Sequence, residues 1–228
     1  MSAHPAASAD VLVVGGGPTG ARAALELARH GHDVLVVERR RPAPVVTSRH
    51  PSDRGDRPRR WSPVLTATAA LDDAGIDIPR HPVSQMRVTT RSNSTTTTWP
   101  DVARSATVDL DAVRERLLAA AEDAGARILR GHEASGPIVE RGFVRGASVS
   151  DPSDVTFEAR ARFTLVADGA DSNFGRALGT TRAAQWPYAL ARTRVFTSAV
   201  GRASEAELVV DLEDRSGTPV TGFGWMYP

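Results

Sequence analysis

The N-terminal part of the chain combines two apolar runs with a stretch of helical periodicity. Residues 11–14 and 34–37 are continuous apolar runs, which are typical of strands buried on both faces of a sheet. Between them, small apolar residues recur at helical spacing, as in a helix that packs closely on strands: Ala21, Ala24, Leu25 and Ala28. Pro18 suits the first turn of that helix, and Gly31 suits its end. The pattern predicts a strand, a helix and a second strand.

Three glycines and one acid stand at the junctions of this unit. Gly15 allows a tight turn out of the first strand, Gly17 lets the backbone approach a pyrophosphate, and Gly20 lets the helix pack close to the sheet. Glu38 closes the second strand, where a carboxylate can accept hydrogen bonds from an adenosine ribose. The N–H groups at the helix start favour phosphate. A dinucleotide site is therefore predicted. The alternative is a unit that packs without a ligand, which the glycines disfavour because they cost stability.

Apolar periodicity predicts further elements along the chain. Helices are predicted at 62–74, with Ser62 as cap and Pro63 in the first turn, at 109–124 and at 172–178. Strands are predicted at 86–90, 95–99, 127–129, 155–161, 163–167, 188–197, 206–212 and 220–227. The segment 138–148 also has strand character, with turns predicted at Arg141-Gly142 and Asp151-Pro152. The segment 39–61 is rich in arginine and proline and is predicted to be a long loop.

These elements predict an α/β fold built on a Rossmann-like parallel sheet. A small antiparallel meander at 138–161 is expected to lie against that sheet. Residues 1–182 are predicted to form the nucleotide-binding domain, which includes the loop at 39–61. Residues 183–228 are predicted to be an incomplete antiparallel domain that binds a substrate.

A second motif has the same arrangement as the first, a predicted buried strand followed by a glycine turn and a helix. The predicted buried strand at 163–167 delivers Asp168 and Gly169 at its carboxyl end, where ligands bind on an open α/β sheet. Asp168 can bond a ribityl or ribose hydroxyl, or a structured water near the pyrophosphate, and Gly169 permits the close turn. Arg176 lies one turn into the following helix and can face either phosphate or Asp168. A capped strand–helix junction with a surface arginine is the alternative interpretation.

With both motifs present, the chain resembles the flavoprotein monooxygenase superfamily, and within it the geranylgeranyl reductase family. The narrower resemblance rests on three stretches: Arg54-Gly55-Asp56 before Ser62-Pro63, residues 167–179, and residues 211–214 with the aromatic segment 222–228. The resemblance implies FAD, held by the domain at 1–182. The residues expected to bind it are Gly15, Gly17, Pro18, Thr19, Gly20, Glu38, Arg39, Asp168 and Gly169.

The family resemblance also implies a reaction. Reduced flavin would pass a hydride to a carbon–carbon double bond of an isoprenoid or quinone-like small molecule, with NAD(P)H as a candidate electron donor. Phe223 and Trp225 would line the apolar pocket for the prenyl chain. A lipid substrate would bring the protein into peripheral contact with a membrane. Neither a catalytic residue nor a metal ligand is assigned, since the histidines lack metal-ligand spacing.

The chain also departs from the family pattern. Arg59-Arg60-Trp61 stands where relatives carry a Cys-Gly-rich stretch, and Leu110 stands where they often carry an arginine that meets the flavin. The chain ends at Pro228, before the segment in which family members return to the FAD domain, so a C-terminal truncation is expected. Two alternatives therefore stay open: an FAD- and NAD(P)H-dependent aromatic monooxygenase, and a truncated FAD-binding fragment without catalysis.

The amino-acid composition narrows the classes of protein to which the chain can belong. The chain has 228 residues, of which 41% are hydrophobic and 24% charged, as in an ordinary soluble globular protein. A net charge of +1 gives no basic field for nucleic acid, so no nucleic-acid partner is expected. The chain has no cysteine, and residues 1–10 lack the pattern of a signal peptide. All basic side chains are arginines, and a bacterial, cytoplasmic origin is expected.

Overall fold

The computed structural model describes residues 7–41, 63–97, 104–170, 172–180, 191 and 204–228. Its elements follow in the order β1 (Ala7–Val14), α1 (Pro18–Arg29), β2 (Val34–Glu38), β3 (Pro63–Ala67), α2 (Thr68–Ala74), β4 (His81–Val83), β5 (Gln85–Thr89), β6 (Ser94–Thr97), β7 (Ser105–Asp109), α3 (Leu110–Asp123), β8 (Arg127–Arg130), β9 (Glu133–Glu140), β10 (Phe143–Ser150), β11 (Thr156–Val166), α4 (Asn173–Ala177), β12 (Glu205–Val209) and β13 (Gly224–Met226).

A six-stranded sheet with the order β8-β2-β1-β11-β10-β9 carries the nucleotide-binding motifs. Strands β8, β2, β1 and β11 are parallel to one another, while β10 pairs antiparallel with both β11 and β9. This arrangement confirms the predicted α/β fold, with a parallel sheet extended by an antiparallel meander.

Strand β11 joins the two parts of that sheet. Its first half pairs antiparallel with β10, and nearly its whole length pairs parallel with β1, from Ala159 to Val166. Two separate strands, 155–161 and 163–167, were expected here. They form one strand because Arg162, which interrupts the apolar pattern, is exposed without breaking the pairing. The expectation that 163–167 is fully buried is wrong, since Phe163 is 61% exposed.

The core of this sheet lies on both of its faces. All four residues of the run 11–14 and all of β2 are buried, as predicted for central parallel strands. Helix α1 turns its predicted apolar side inward, where Ala21, Ala24, Leu25 and Ala28 are buried. A cluster on the sheet joins the strands to Phe174 of α4: Leu12, Val14, Leu35, Val37, Ala147, Val149, Ala159, Ala161 and Phe174. Close packing of small residues therefore holds α1 against the strands.

The described residues divide into two compact units, 1–46 with 114–192 and 47–113 with 193–228. In the second unit, β12 pairs parallel with β5 and antiparallel with β13, and β6 completes this sheet at the other edge. A three-stranded sheet of order β3-β7-β4 accompanies it. The sheet at 206–227 is thus mixed. Residues 63–113 lie in this unit, although the expected boundary at 182 placed them in the first domain.

The beginning of the second unit differs from the expected helix. Residues 63–67 form β3, which pairs antiparallel with β7, and the helix begins only at Thr68. The apolar residues here have helical spacing, but their backbone forms strand hydrogen bonds with β7. The local sequence pattern does not reveal this partner. Four predicted features lie wholly or partly outside the described residues: the cap Ser62, most of the loop 39–61, the end of the strand 95–99 and the strand 188–197. Of that last strand, the structure describes only position 191.

The β-bulge at Gly146 in strand β10 allows the packing of β10 on β11 to be tested. Gly146 has φ 138°, and a Cβ built on it would lie 2.0 Å from the carbonyl oxygen of Ala159. We expect Gly146→Ala to lower the free energy of unfolding by at least about 2 kcal/mol, because strand β10 would have to move away from β11.

The matched control is Gly136→Ala in the neighbouring strand, where an added Cβ meets nothing within 4 Å. Urea unfolding of both variants measures the difference. Equal stability of the two proteins would contradict the packing of β10 on β11.

Candidate cofactor-binding site

The turn after β1 is shaped by contacts that only glycine permits. Gly15 has φ 100°, and an added Cβ would lie 2.5 Å from the carbonyl oxygen of Ala167. At Gly20 an added Cβ would lie 1.9 Å from the carbonyl oxygen of Gly15. The first turn of α1 therefore packs directly on the turn, and the turn packs directly on the end of β11.

Gly17 differs from these two glycines, since a Cβ at this position would meet no atom of the described residues within 4 Å. It is the N-cap of α1, with extended backbone (φ −65°, ψ 176°), and no side chain caps the helix. The first turn carries Pro18 and the exposed Thr19 but no acidic residue. The helix therefore presents uncapped N–H groups and the positive end of its dipole beside an open space, as a phosphate site requires.

Glu38 is held on this turn. Its side chain is buried at 7% exposure, and its Oε2 accepts a hydrogen bond from the backbone N–H of Gly16 at 2.6 Å. Its Oε1 accepts one from the N–H of Arg40 at 2.6 Å. A carboxylate oxygen can accept a further bond, so the group is oriented and still able to accept from a hydroxyl.

Gly16 is a residue that the sequence analysis missed. A Cβ on it would lie 2.9 Å from Oε2 of Glu38, so a side chain here would displace the carboxylate. The run of three glycines at 15–17 could have indicated this role. The dinucleotide-binding glycine pattern, however, allows any residue at the middle position of that run.

Arg39 makes a different contact. Its Nη1 lies 3.4 Å from Oε1 of Glu133, and both side chains are mostly exposed. An exposed pair of this kind contributes about 1 kcal/mol or less. The predicted cofactor contact of Arg39 stays a prediction.

The second motif lies beside the first. The N–H of Ala167 donates to the carbonyl oxygen of Val14 at 2.8 Å, which continues the β1–β11 ladder to the ends of both strands. The Cα of Asp168 would lie only 2.8 Å from a Cβ on Gly15. The structure therefore brings the Asp168-Gly169 turn, in which Gly169 has φ 92°, against the glycine turn.

The side chain of Asp168 has one oxygen in use and one without a partner. Its Oδ2 accepts a hydrogen bond from the N–H of Phe174 at 3.3 Å, while its Oδ1 is buried and has no hydrogen-bond partner among the described residues. The start of α4 is capped separately, since Oγ of Ser172 accepts from the N–H of Gly175 at 2.7 Å. Arg176 of this helix donates a hydrogen bond to Oδ1 of Asn173. An unpaired buried acceptor is costly, and a hydroxyl donor from a ligand would satisfy it.

Together these groups fit a dinucleotide. The uncapped helix and open Gly17 suit a pyrophosphate, Glu38 suits a ribose, and Asp168 offers an acceptor to another hydroxyl.

The second unit contains an apolar groove of about 280 Å³. It is lined by Leu65, Met86, Glu207, Leu208, Phe223, Trp225 and Tyr227. The rings of Phe223 and Trp225 are 5.4 Å apart at 45°, and Phe223 is 56% exposed. Both residues of the predicted pocket therefore do line a groove, and the structure adds Tyr227, which sequence reasoning had not selected.

Comparison with known proteins agrees with this geometry. The family described as "FAD binding domain" matches residues 8–200. This chain belongs to that family. The expectation that FAD is the cofactor is confirmed. None of the helices in the described part of this FAD-binding domain is long and apolar enough to cross a membrane.

The curated relatives of this FAD-binding domain are reductases by name. It is 30% identical to menaquinone reductase of Mycobacterium tuberculosis, over 97% of this chain and 52% of the relative. It is 28% identical to digeranylgeranylglycerophospholipid reductase of Thermoplasma acidophilum, over 96% and 53%. The chain thus spans about half the length of these relatives. The expected resemblance to geranylgeranyl reductases is confirmed.

Solved structures share the fold. A geranylgeranyl bacteriochlorophyll reductase-like protein from Thermoplasma acidophilum superposes with a TM-score of 0.70 at 23% identity, covering 97% of this chain and 54% of that one. The chondrochloren halogenase superposes with a TM-score of 0.56 at 21% identity, covering 75% and 39%. At such identities the likeness supports the fold alone.

We expect Gly17→Val to abolish FAD binding, because its side chain would fill the open space in front of α1. The folded chain itself should tolerate valine, since Gly17 has extended backbone and no neighbour within 4 Å. Flavin fluorescence titration measures binding, and thermal unfolding without FAD is the control for folding. Retained FAD affinity would contradict a pyrophosphate at this turn.

We expect Asp168→Asn to weaken FAD binding about 10-fold, because an amide can replace the unpartnered carboxylate oxygen with a donor. The bond from the N–H of Phe174 can be kept by the amide oxygen, so the stability of the cofactor-free chain should change by less than about 1 kcal/mol. Parallel FAD titration and chemical unfolding separate the two effects. An unchanged FAD affinity would remove Asp168 from the site.

Proposed function

We propose that this chain is the FAD-carrying part of a reductase that acts on an isoprenoid carbon–carbon double bond. The observation that carries the proposal is the convergence of the two turns, which places an uncapped helix start, Gly15 and Asp168 beside one another. The names of the relatives support a prenylated lipid or quinone as substrate.

The residues of the first unit bind and orient the cofactor. The N–H groups at the start of α1 bind the pyrophosphate, and Pro18 and Thr19 border it in the first turn. Glu38, held by Gly16, accepts from the adenosine ribose, and the free oxygen of Asp168 accepts from a ribityl or ribose hydroxyl. Arg39 and Gly169 complete the proposed set. None of these residues takes part in the chemistry itself.

The groove of the second unit binds the prenyl chain. Its apolar wall, including Phe223 and Trp225, excludes water from the hydrocarbon. The chemistry that FAD supplies when bound and reduced is hydride transfer: the hydride goes to one carbon of the double bond, a proton goes to the other, and the flavin is oxidised. NAD(P)H is the proposed source of electrons, and a lipid substrate would bring the protein to a membrane surface.

The test uses FAD-loaded protein under anaerobic conditions, with NADPH or dithionite as reductant and a prenylated naphthoquinone as substrate. We expect reoxidation of the flavin together with a product two hydrogens heavier in its side chain, detected by mass spectrometry. In D2O the product should carry two deuterium atoms at the saturated bond, because the N5 hydrogen of reduced flavin exchanges with solvent and the proton also comes from solvent.

Two outcomes would contradict the proposal. In a parallel aerobic assay with NADPH and a phenol, oxygen uptake coupled to hydroxylation would identify the aromatic monooxygenase instead. A colourless protein that FAD cannot reconstitute would support a non-catalytic fragment.

A further inference from the structure

The groove of the second unit is built from one face of a sheet. Residues at alternating positions, Phe223, Trp225 and Tyr227, line it together. Trp225 pairs with Leu208, and Leu208 pairs with Val88 across the next strand. Tyr227 also packs against the buried pair Val83 and Ala206. The aromatic side chains thus share the apolar face.

Charged side chains of the same strands occupy the opposite face. Arg87 forms an ion pair with Glu205 at 2.6 Å, and Glu207 accepts a hydrogen bond from Oγ1 of Thr89 at 2.6 Å. These residues alternate with those of the apolar face, so their charged groups are directed away from it. Glu207 borders the groove while its carboxylate is engaged with Thr89.

Besides Glu207, whose carboxylate is engaged with Thr89, the titratable group among the described lining residues of the groove is the phenol of Tyr227. Burial raises the pKa of Tyr227, which disfavours the phenolate. A phenol is already protonated at neutral pH at its ordinary pKa, and the upward shift acts in the same direction, so the hydroxyl is a hydrogen-bond donor there.

We infer that Tyr227 is a specificity-determining residue, whose hydroxyl donates a hydrogen bond to an oxygen carried by the substrate beside its prenyl chain. This inference rests on the proposed function. The chemistry that it selects is an isoprenoid joined to an oxygen acceptor, either a quinone carbonyl or a glycerol ether. A groove with an apolar wall and a few well-placed polar groups binds the chain through its wall and orients the ligand through those groups.

The test compares the chain with its Tyr227→Phe variant, which keeps the ring and removes the hydroxyl. Three probes are titrated calorimetrically in mild detergent: a naphthoquinone with two isoprene units, a digeranylgeranylglycerol ether, and an isoprenoid hydrocarbon without oxygen. We expect the variant to bind one oxygen-bearing probe about five-fold more weakly and the hydrocarbon unchanged. The probe that loses affinity identifies the source of the oxygen.

The control is Phe223→Leu, which should weaken all three probes by similar factors because it removes apolar contact alone. Equal affinities of the parent chain and Tyr227→Phe for every probe would overturn the inference and leave the proposed function standing. Equal losses for all probes, the hydrocarbon included, would overturn it too, since Tyr227 would then only pack. Failure of the parent chain to bind any probe would overturn both.

Discussion

The parallel pairing of β1 with β11 is the constraint on which the site depends. The two strands stay in register to their carboxyl ends, where the N–H of Ala167 still bonds the carbonyl of Val14. Each strand then turns sharply into a helix, and the two turns are in van der Waals contact. A side chain at Gly15 would separate them. Gly15 is therefore needed for the contact between two distant chain segments as well as for the approach of a phosphate.

A second constraint links the glycine turn to the end of β2. Glu38 is buried and bonds two backbone N–H groups, so its carboxylate is oriented before any ligand arrives. Preorganised acceptors of this kind cost no side-chain entropy when a ribose binds. The same packing makes Gly16 necessary, because the carboxylate occupies the space of its missing side chain. The acid at the end of the second strand is thus both a candidate ligand group and part of the turn itself.

The second unit shows how a groove arises from strands that are far apart along the chain. Strand β5 pairs with β12 across more than one hundred residues, and β13 adds the aromatic residues at the edge. Polar partners fill one face of this sheet, which leaves the other face to Leu208, Trp225 and Tyr227. The separation of polar and apolar faces follows from the period of two in a strand.

The amino-acid sequence by itself determined the local units: the buried runs at 11–14 and 34–37, the small-residue face of α1, the meander, the helix of 110–123 and both glycine turns. Each of these is encoded by neighbouring residues through period, capping and backbone freedom. The choice of Phe223 and Trp225 came from the resemblance of the segment 222–228 to the geranylgeranyl reductase family. Only the tertiary structure decided that 63–67 is a strand, that 156–166 is one continuous strand, that residues 63–113 belong with the C-terminal strands, and that Tyr227 lines the groove. Those features depend on pairings between distant segments, whose energy comes from the partner strand and is absent from the local pattern.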